Sequence, residues 1–248
     1  MPLTATLRDK VERLAGTVGT ARREGGAGRV GRVLVREVVG SARRAGGYAA
    51  EAVVDRRFGM DTRGIVKNDA VVRDRSAGGD GCYYQATPLR AFRRVVRASG
   101  VDPARTTFVD LGAGRGRALM FAADLGFRSV IGVELDPDLS AGARRNAAAG
   151  RGSRAGRPAI EVRTGDAAAV DVPPGDLFVF LFNPFGPQTL QRVLDRLGEA
   201  QRVSPRRVTL AYMNPVHADV VAARPAFRLV ARGRSWVVHR WDAVASRP

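Results

Sequence analysis

The sequence reads as an α/β fold: a seven-stranded, mostly parallel, doubly wound sheet that ends in an antiparallel hairpin and is preceded by a helical, basic N-terminal extension. Three observations predict it. From residue 106 short β-branched or aromatic runs alternate with helical patterns, the rhythm of βαβ units on a parallel sheet. The last two runs are separated only by Arg232-Gly233-Arg234, a hairpin-sized connection that makes the pair antiparallel. The first run leads directly into a glycine-rich turn, Gly112-Ala113-Gly114-Arg115-Gly116, and then into a helical stretch.

Upstream of these units, Leu3, Leu7, Val11, Leu14 and Val18 recur at spacings of four and three, which is one face of a helix, until Gly25 and Gly26 interrupt it. Val30, Val33, Leu34, Glu37 and Val38, surrounded by Arg29, Arg32, Arg36, Arg43 and Arg44, read as a basic amphipathic helix. Gly78, Gly79 and Gly81 mark a turn-rich stretch. Residues 1–82 are therefore read as a basic helical extension or cap, and residues 83–248 as the main domain. Charge changes along the chain in the same sense: residues 1–100 hold 20 cations and 10 anions, residues 101–200 hold 12 of each, and residues 201–248 hold 9 and 2. A neutral middle flanked by basic ends separates the strongest core pattern from the parts that meet solvent or a polyanion.

Within the main domain, Ala91-Phe92-Arg93-Arg94-Val95-Val96 predicts a helix that begins near Pro88, with Thr87 as its cap. Strands are expected at Thr107–Leu111, Ser129–Glu134, Ile160–Thr164, Leu177–Phe182, Val208–Tyr212, Phe227–Ala231 and Trp236–Trp241. The first five alternate with helices. No internal repeat and no long low-complexity tract is seen.

Composition bounds the function. With 248 residues, 45% of them apolar, the chain can bury a sizeable core, and its formal charge of +17 invites a polyanionic partner, with nucleic acid the candidate at the basic ends. Of the cations only Lys10 and Lys67 are lysines, a bias that weakens an argument from arginine number alone. The single Cys82 excludes an internal disulfide and a cysteine-based zinc site, and no metal is expected. The start, MPLTATLRDKVERLAG, is charged throughout and lacks the apolar core of a secretory signal. The longest apolar run, Leu177 to Phe182, is far short of the roughly 18 residues of a membrane span. A cytoplasmic protein is the expectation.

The chemistry concentrates at Phe108-Val109-Asp110-Leu111-Gly112-Ala113-Gly114-Arg115-Gly116. Glycines suit a backbone that turns tightly and approaches a ligand closely, with the N–H groups of the next helix pointing at it. Two carboxylates strengthen the pattern: Asp110 at the end of the first strand, and Glu134 at the end of the second, where a carboxylate can accept hydrogen bonds from ribose hydroxyls. Dinucleotides and S-adenosylmethionine both carry such a ribose. Asp110 separates them, because it would repel a pyrophosphate but suits a sulfonium and an α-ammonium. Gly116 also falls one residue early for the dinucleotide spacing.

On these residues the chain resembles a class I S-adenosylmethionine-dependent methyltransferase, over roughly residues 83–241. The resemblance implies S-adenosyl-L-methionine as cofactor and a binding shell of Asp110, Gly112, Ala113, Gly114, Gly116, Glu134 and Leu135. Thr164-Gly165-Asp166-Ala167 after the third strand matches the place where the family's acidic residue and its neighbour's backbone hold adenine. Asn183-Pro184-Phe185-Gly186 after the fourth strand is similar to the family's substrate-side Asn/Asp-Pro-Pro-aromatic loop, but has one proline, which counts against a nucleobase amino group as acceptor. A weaker resemblance, to the catalytic domain of non-SET histone lysine methyltransferases, rests on Asn183 to Gly186 and on Tyr83-Tyr84-Gln85-Ala86-Thr87-Pro88. It is used for architecture and not for the histone substrate.

Tyr84, Thr87 and Phe185 are read as walls of the site. Asn183, Pro184 and Phe185 are the residues expected to align an acceptor, with His217 a candidate base at the carboxyl edge of the fifth strand or else a surface residue at a helix start. His239, inside the last strand between Trp236 and Trp241, is expected to be packed. The activity expected is methyl transfer to an N or O acceptor in protein, nucleic acid or a small metabolite. The alternatives are an NAD(P)-dependent oxidoreductase and an inactive nucleic-acid-binding protein on the same fold.

Overall fold

The computed structural model describes residues 52–62, 85–150 and 156–242. The two amphipathic patterns upstream, the glycines at 78–81, the boundary at 82/83 and Tyr84 lie outside the described residues. The chain divides into two compact units, Met1–Val53 and Val54–Pro248, and the second contains every strand among the described residues.

That second unit carries a seven-stranded sheet, β1 (Thr107–Leu111), β2 (Ser129–Glu134), β3 (Ile160–Thr164), β4 (Leu177–Phe182), β5 (Val208–Met213), β6 (Arg228–Gly233) and β7 (Trp236–Trp241), in the order β3-β2-β1-β4-β5-β7-β6. β1 to β5 run parallel, and β7 is antiparallel to both β5 and β6. This is the α/β sheet with a terminal hairpin that the alternation of patterns implied. Two strands differ in their bounds: β5 runs one residue further, to Met213, and β6 begins at Arg228 and runs to Gly233, so the hairpin turn is the two residues Arg234-Ser235, with a register irregularity at Leu229/Ala231.

The helices are α1 (Leu89–Ser99), α2 (Arg117–Asp124), α3 (Pro137–Ala149), α4 (Pro187–Val203) and α5 (Ala218–Ala222). Each βα joint has a local reason. Asp136 caps α3 through the N–H groups of Asp138 and Leu139, with Pro137 in its first turn. Gly100, at φ 67, ends α1. The start of α1 corrects the sequence expectation: Pro88 occupies the cap position without a side-chain hydrogen bond, and Thr87 is a buried residue one step earlier. The fixed φ of proline, here −71°, suits the extended backbone of the cap position.

The core has two parts because the sheet is buried on both faces. Phe92, Val95 and Val96 of α1 and Ala118 to Ala123 of α2 meet Phe108, Val130, Phe178 and Phe180 on one side. Leu190, Val193, Leu194 and Leu197 of α4 and Val221 of α5 meet Val109, Leu111, Val179 and Leu181 on the other. β4, read in sequence as one apolar run, is the strand whose alternate residues serve both clusters, which is why it lacks alternation. The helical residues 54–58 and the irregular stretch to Thr62 join the first cluster through Phe58 and Met60.

Candidate functional site

The strand order reverses between β1 and β4, which lie side by side while the chain winds away from them in opposite directions. In open α/β sheets such a switch point, at the carboxyl ends of the strands, is where a ligand crevice forms. The glycine loop 112–116 leaves β1 on one side of it, and Asn183-Pro184-Phe185-Gly186 leaves β4 on the other. The two loops touch. A Cβ added at Gly112 would lie 2.3 Å from Pro184 Cβ, and Gly112 stands at φ 85, so close approach and backbone conformation both call for glycine.

The loop is pinned from below by β2. The N–H groups of Gly112 and Ala113 both donate to the Val133 carbonyl, at 2.8 and 3.0 Å, and the Gly114 N–H donates to Glu134 Oε2 at 2.7 Å. Glu134 Oε1 accepts from the Asp136 N–H at 2.9 Å. Glu134 thus ties the glycine turn to the turn after β2, while each of its oxygens keeps a further lone pair for a ligand hydroxyl. Burial raises its proton affinity, and the N–H groups of Asp136 and Gly114 pull it back.

Asp110 lies one residue before the end of β1 and is 4% exposed. Among the described residues nothing hydrogen-bonds its carboxylate. Burial pushes it well above the usual carboxylate range, and the charge of Glu134 pushes in the same direction. Asp166 Oδ1 caps the short turn Ala167–Ala169 through the Ala168 N–H at 2.9 Å, and its Oδ2 pairs with Arg192 Nη1 at 3.1 Å. Ala167 is buried behind it, and Leu135 is exposed on the neighbouring turn.

On the β4 side, Asn183 has φ 46, and its Oδ1 accepts a hydrogen bond from the Tyr212 hydroxyl at 3.1 Å. Tyr212 in turn accepts from the His217 N–H at 3.4 Å. His217 is half-buried immediately before α5, at a helix start as expected. Phe185 is only 7% exposed and shares the second core cluster with Leu111, Leu181 and Leu190, so its ring is a footing for the loop rather than an open wall. His239 is packed, as expected; burial lowers its proton affinity, and its Nδ1 has no partner among the described residues.

Sequence reasoning missed Tyr212 and a cluster behind the glycine loop. Arg117, the first residue of α2, is 2% exposed, and its Nη2 meets Asp55 Oδ1 at 2.6 Å. Thr62 donates to the same carboxylate through Oγ1 at 2.7 Å and through its N–H at 3.0 Å. Asn146 of α3 accepts from the Asp61 N–H at 2.9 Å and donates to the carbonyls of Asp61 and Arg115, at 3.1 and 2.8 Å. Residues 55–62 are thereby fastened to both ends of Arg115-Gly116-Arg117. The available signal was Arg117 itself, a lone cation opening an apolar helix, RALMFAAD, that is otherwise buried through Ala123.

Among the described residues no group of three or more His, Cys, Asp or Glu could hold a metal ion, and no helix is long and apolar enough to cross a membrane.

No family profile matches the sequence, and no curated protein matches it. Among solved structures the chain is similar to an RNA methyltransferase from Salinibacter ruber crystallised with S-adenosyl-L-homocysteine, at 24% identity over 66% of this chain and 97% of that one, with a TM-score of 0.45. It is similar to the 23S rRNA methyltransferase ErmE at 19% identity over 65% of this chain and 70% of that one, TM-score 0.46. It is also similar to the mitomycin 7-O-methyltransferase MmcR at 18% identity over 62% and 54% of the two chains, TM-score 0.44. These are likenesses of fold.

Proposed function

We propose that the protein is an S-adenosylmethionine-dependent methyltransferase that acts on an N or O acceptor at the crevice between β1 and β4. Asp110 carries this reading. A buried carboxylate without a hydrogen-bond partner at a ligand-binding edge is costly to ionise, and a cationic ligand beside it removes the cost. A dinucleotide would bring a pyrophosphate to the same place, against two carboxylates.

The residues present fit the cofactor. Asp110 faces its cationic end, and Gly112, Ala113, Gly114 and Gly116 allow the close approach. Glu134 and Leu135 receive the ribose, Asp166 and Ala167 the adenine, and Thr87 closes the side. When bound, S-adenosylmethionine supplies a methyl group on a sulfonium, already an excellent leaving group. The protein's task is then alignment, exclusion of water and acceptance of a proton. Tyr212 engages Asn183 Oδ1, which leaves the Asn183 NH₂ to orient the acceptor. Pro184 and the packed Phe185 hold that loop against the glycine turn. The His217 imidazole, half-buried at the same edge, takes the proton when the acceptor has one to lose.

Calorimetry tests the reading. S-adenosylhomocysteine binds and NAD does not, and Glu134→Ala lowers the affinity at least tenfold, since each hydrogen bond to a charged acceptor contributes about 1.5–3 kcal/mol. Binding of NAD without S-adenosylhomocysteine overturns it. Transfer of a tritiated methyl group to RNA, protein or small-molecule fractions then identifies the acceptor class.

A further inference from the structure

Ten arginines of the sheet unit pair with carboxylates among the described residues. Arg93 and Arg157 share Asp124, Arg207 and Arg228 share Asp242, Arg196 meets Asp171 and Glu199, Arg224 meets Asp195, and Arg192 meets Asp166. The outer face of α1 is different. Arg90, Arg94 and Arg97 are all exposed, make no side-chain hydrogen bond or ion pair among the described residues, and follow one another at the i, i+4, i+7 spacing of a single helix stripe. α1 contains no acidic residue. Arg232 and Arg234, at the end of β6 and on the β6–β7 turn, are likewise exposed and without an ion pair among the described residues. α1 packs against β7 and β6, so the two groups belong to neighbouring elements.

The orientation of α1 ties this stripe to the crevice edge. At its carboxyl end, the Ser99 carbonyl accepts from Arg240, which pairs with Thr209 near the amino end of β5. α1 then spans about 16 Å, comparable with the length of a strand, so its first turn, with Arg90, reaches the carboxyl edge of the sheet. The β6–β7 turn reaches the same edge, where Trp236 pairs with Met213 and the Ser235 carbonyl accepts from the Asn214 N–H at 2.8 Å. Unpaired guanidinium groups therefore climb α1 to the edge that holds Asn183 and His217, and meet a second pair there. Asp219, exposed on α5, lies two residues from His217.

We propose that Arg90, Arg94 and Arg97 on α1, with Arg232 and Arg234 on the β6–β7 hairpin, form a track for the phosphodiester backbone of a single nucleic-acid strand, which delivers one nucleotide to the crevice. Planar guanidinium groups in a row suit successive phosphates. The outward face of α1 offers arginine without the exposed large apolar residues that would insert into a lipid surface. A single strand also lets a base or ribose reach a crevice that a stacked duplex would withhold. The delivery to the crevice rests on the methyltransferase reading, whereas the track itself does not.

The test is fluorescence anisotropy of a labelled single-stranded RNA, and of the matching DNA, with the full chain over a range of salt concentrations. Substituting R90Q, R94Q and R97Q together lowers affinity at least tenfold at low salt and reduces the logarithmic salt slope by about 2, three contacts at roughly 0.7 each. The control, R105Q, R128Q and R145Q together, removes the same charge from residues equally exposed and without ion pairs among the described residues, and changes affinity less than about twofold. Equal losses in both variants, no loss in the first, or tighter binding to phosphatidylserine vesicles than to RNA each overturns the track. S-adenosylhomocysteine affinity, measured on the same samples, separates the two readings. If it is absent in the wild type while the stripe still governs RNA binding, the cofactor reading fails alone; if it is retained while the stripe has no effect, the track fails alone.

Discussion

Burial raises the proton affinity of both Asp110 and Glu134, and the charge of Glu134 adds to the rise at Asp110. Without ligand, the folded protein therefore holds a proton on Asp110 more readily than the unfolded chain does. The fold loses that advantage as pH rises from the ordinary carboxylate value of 3.8. A cationic ligand has the opposite preference, since it favours the ionised carboxylate. The affinity for S-adenosylhomocysteine, which keeps an α-ammonium, is expected to rise with pH through the raised range and to be accompanied by proton release. Calorimetry in two buffers of different ionisation enthalpy measures that release, and Asp110→Asn abolishes it. Asn183 belongs to the other side of the crevice and has a different signature. Asn183→Ala leaves S-adenosylhomocysteine affinity within a few-fold while turnover falls, because orientation of the acceptor is expressed in the transition state. Tyr212→Phe, which keeps the packed ring and removes only the hydroxyl, produces the same split in milder form when methyl transfer and binding are measured together.

At the scale of elements, the glycine loop is held from three directions. β2 supplies the Val133 carbonyl and the Glu134 carboxylate, the β4 loop supplies Pro184, and residues 55–62 supply Asp55 together with the backbone of Asp61. The third support lies outside the βα units. Its central pair is buried, so removing the carboxylate from Arg117 costs about 3 kcal/mol or more. The expected consequence is a sharp limit on truncation. A chain that begins at residue 54 keeps Asp55, Phe58, Met60 and Thr62 and retains a cooperative melt with S-adenosylhomocysteine binding. One that begins at residue 63 melts at least roughly 6 °C lower and loses that affinity. Equal melting and binding by the two truncated chains, read by differential scanning calorimetry with and without S-adenosylhomocysteine, would show that the segment is a passenger.

Across the whole molecule, the sheet was legible because its signals are local. The continuous apolar run Leu177–Phe182, rich in Phe and bounded by Gly175-Asp176 and Asn183-Pro184, reads as a strand buried on both faces, and the short connection before Trp236 leaves no room for a crossover helix, so β7 had to turn back. The elements that carry the proposed cofactor residues were legible for the same reason, since Asp110, Gly112 to Gly116 and Glu134 sit at strand ends whose positions follow from the pattern. Phe185 and Thr87 show where local reading stops: an aromatic residue after a strand and a threonine before a helix have ordinary local roles, and only packing decides that one is a core residue and the other is no cap. The charge pattern was legible as a total of +17 and a basic segment, but not as a surface, because pairing takes Arg93 of α1 and leaves Arg90, Arg94 and Arg97 on its outer stripe without a carboxylate among the described residues. By itself the sequence determined the order of strands and helices, the glycine turn and the two carboxylates beside it, all of which depend on neighbours a few residues apart. The tertiary structure alone decided that Asp55 would meet Arg117 across 62 residues, that Tyr212 would hold Asn183, and which cations would stay unpaired. Those choices are made by burial and by the meeting of distant elements, which leave no periodic trace in the chain.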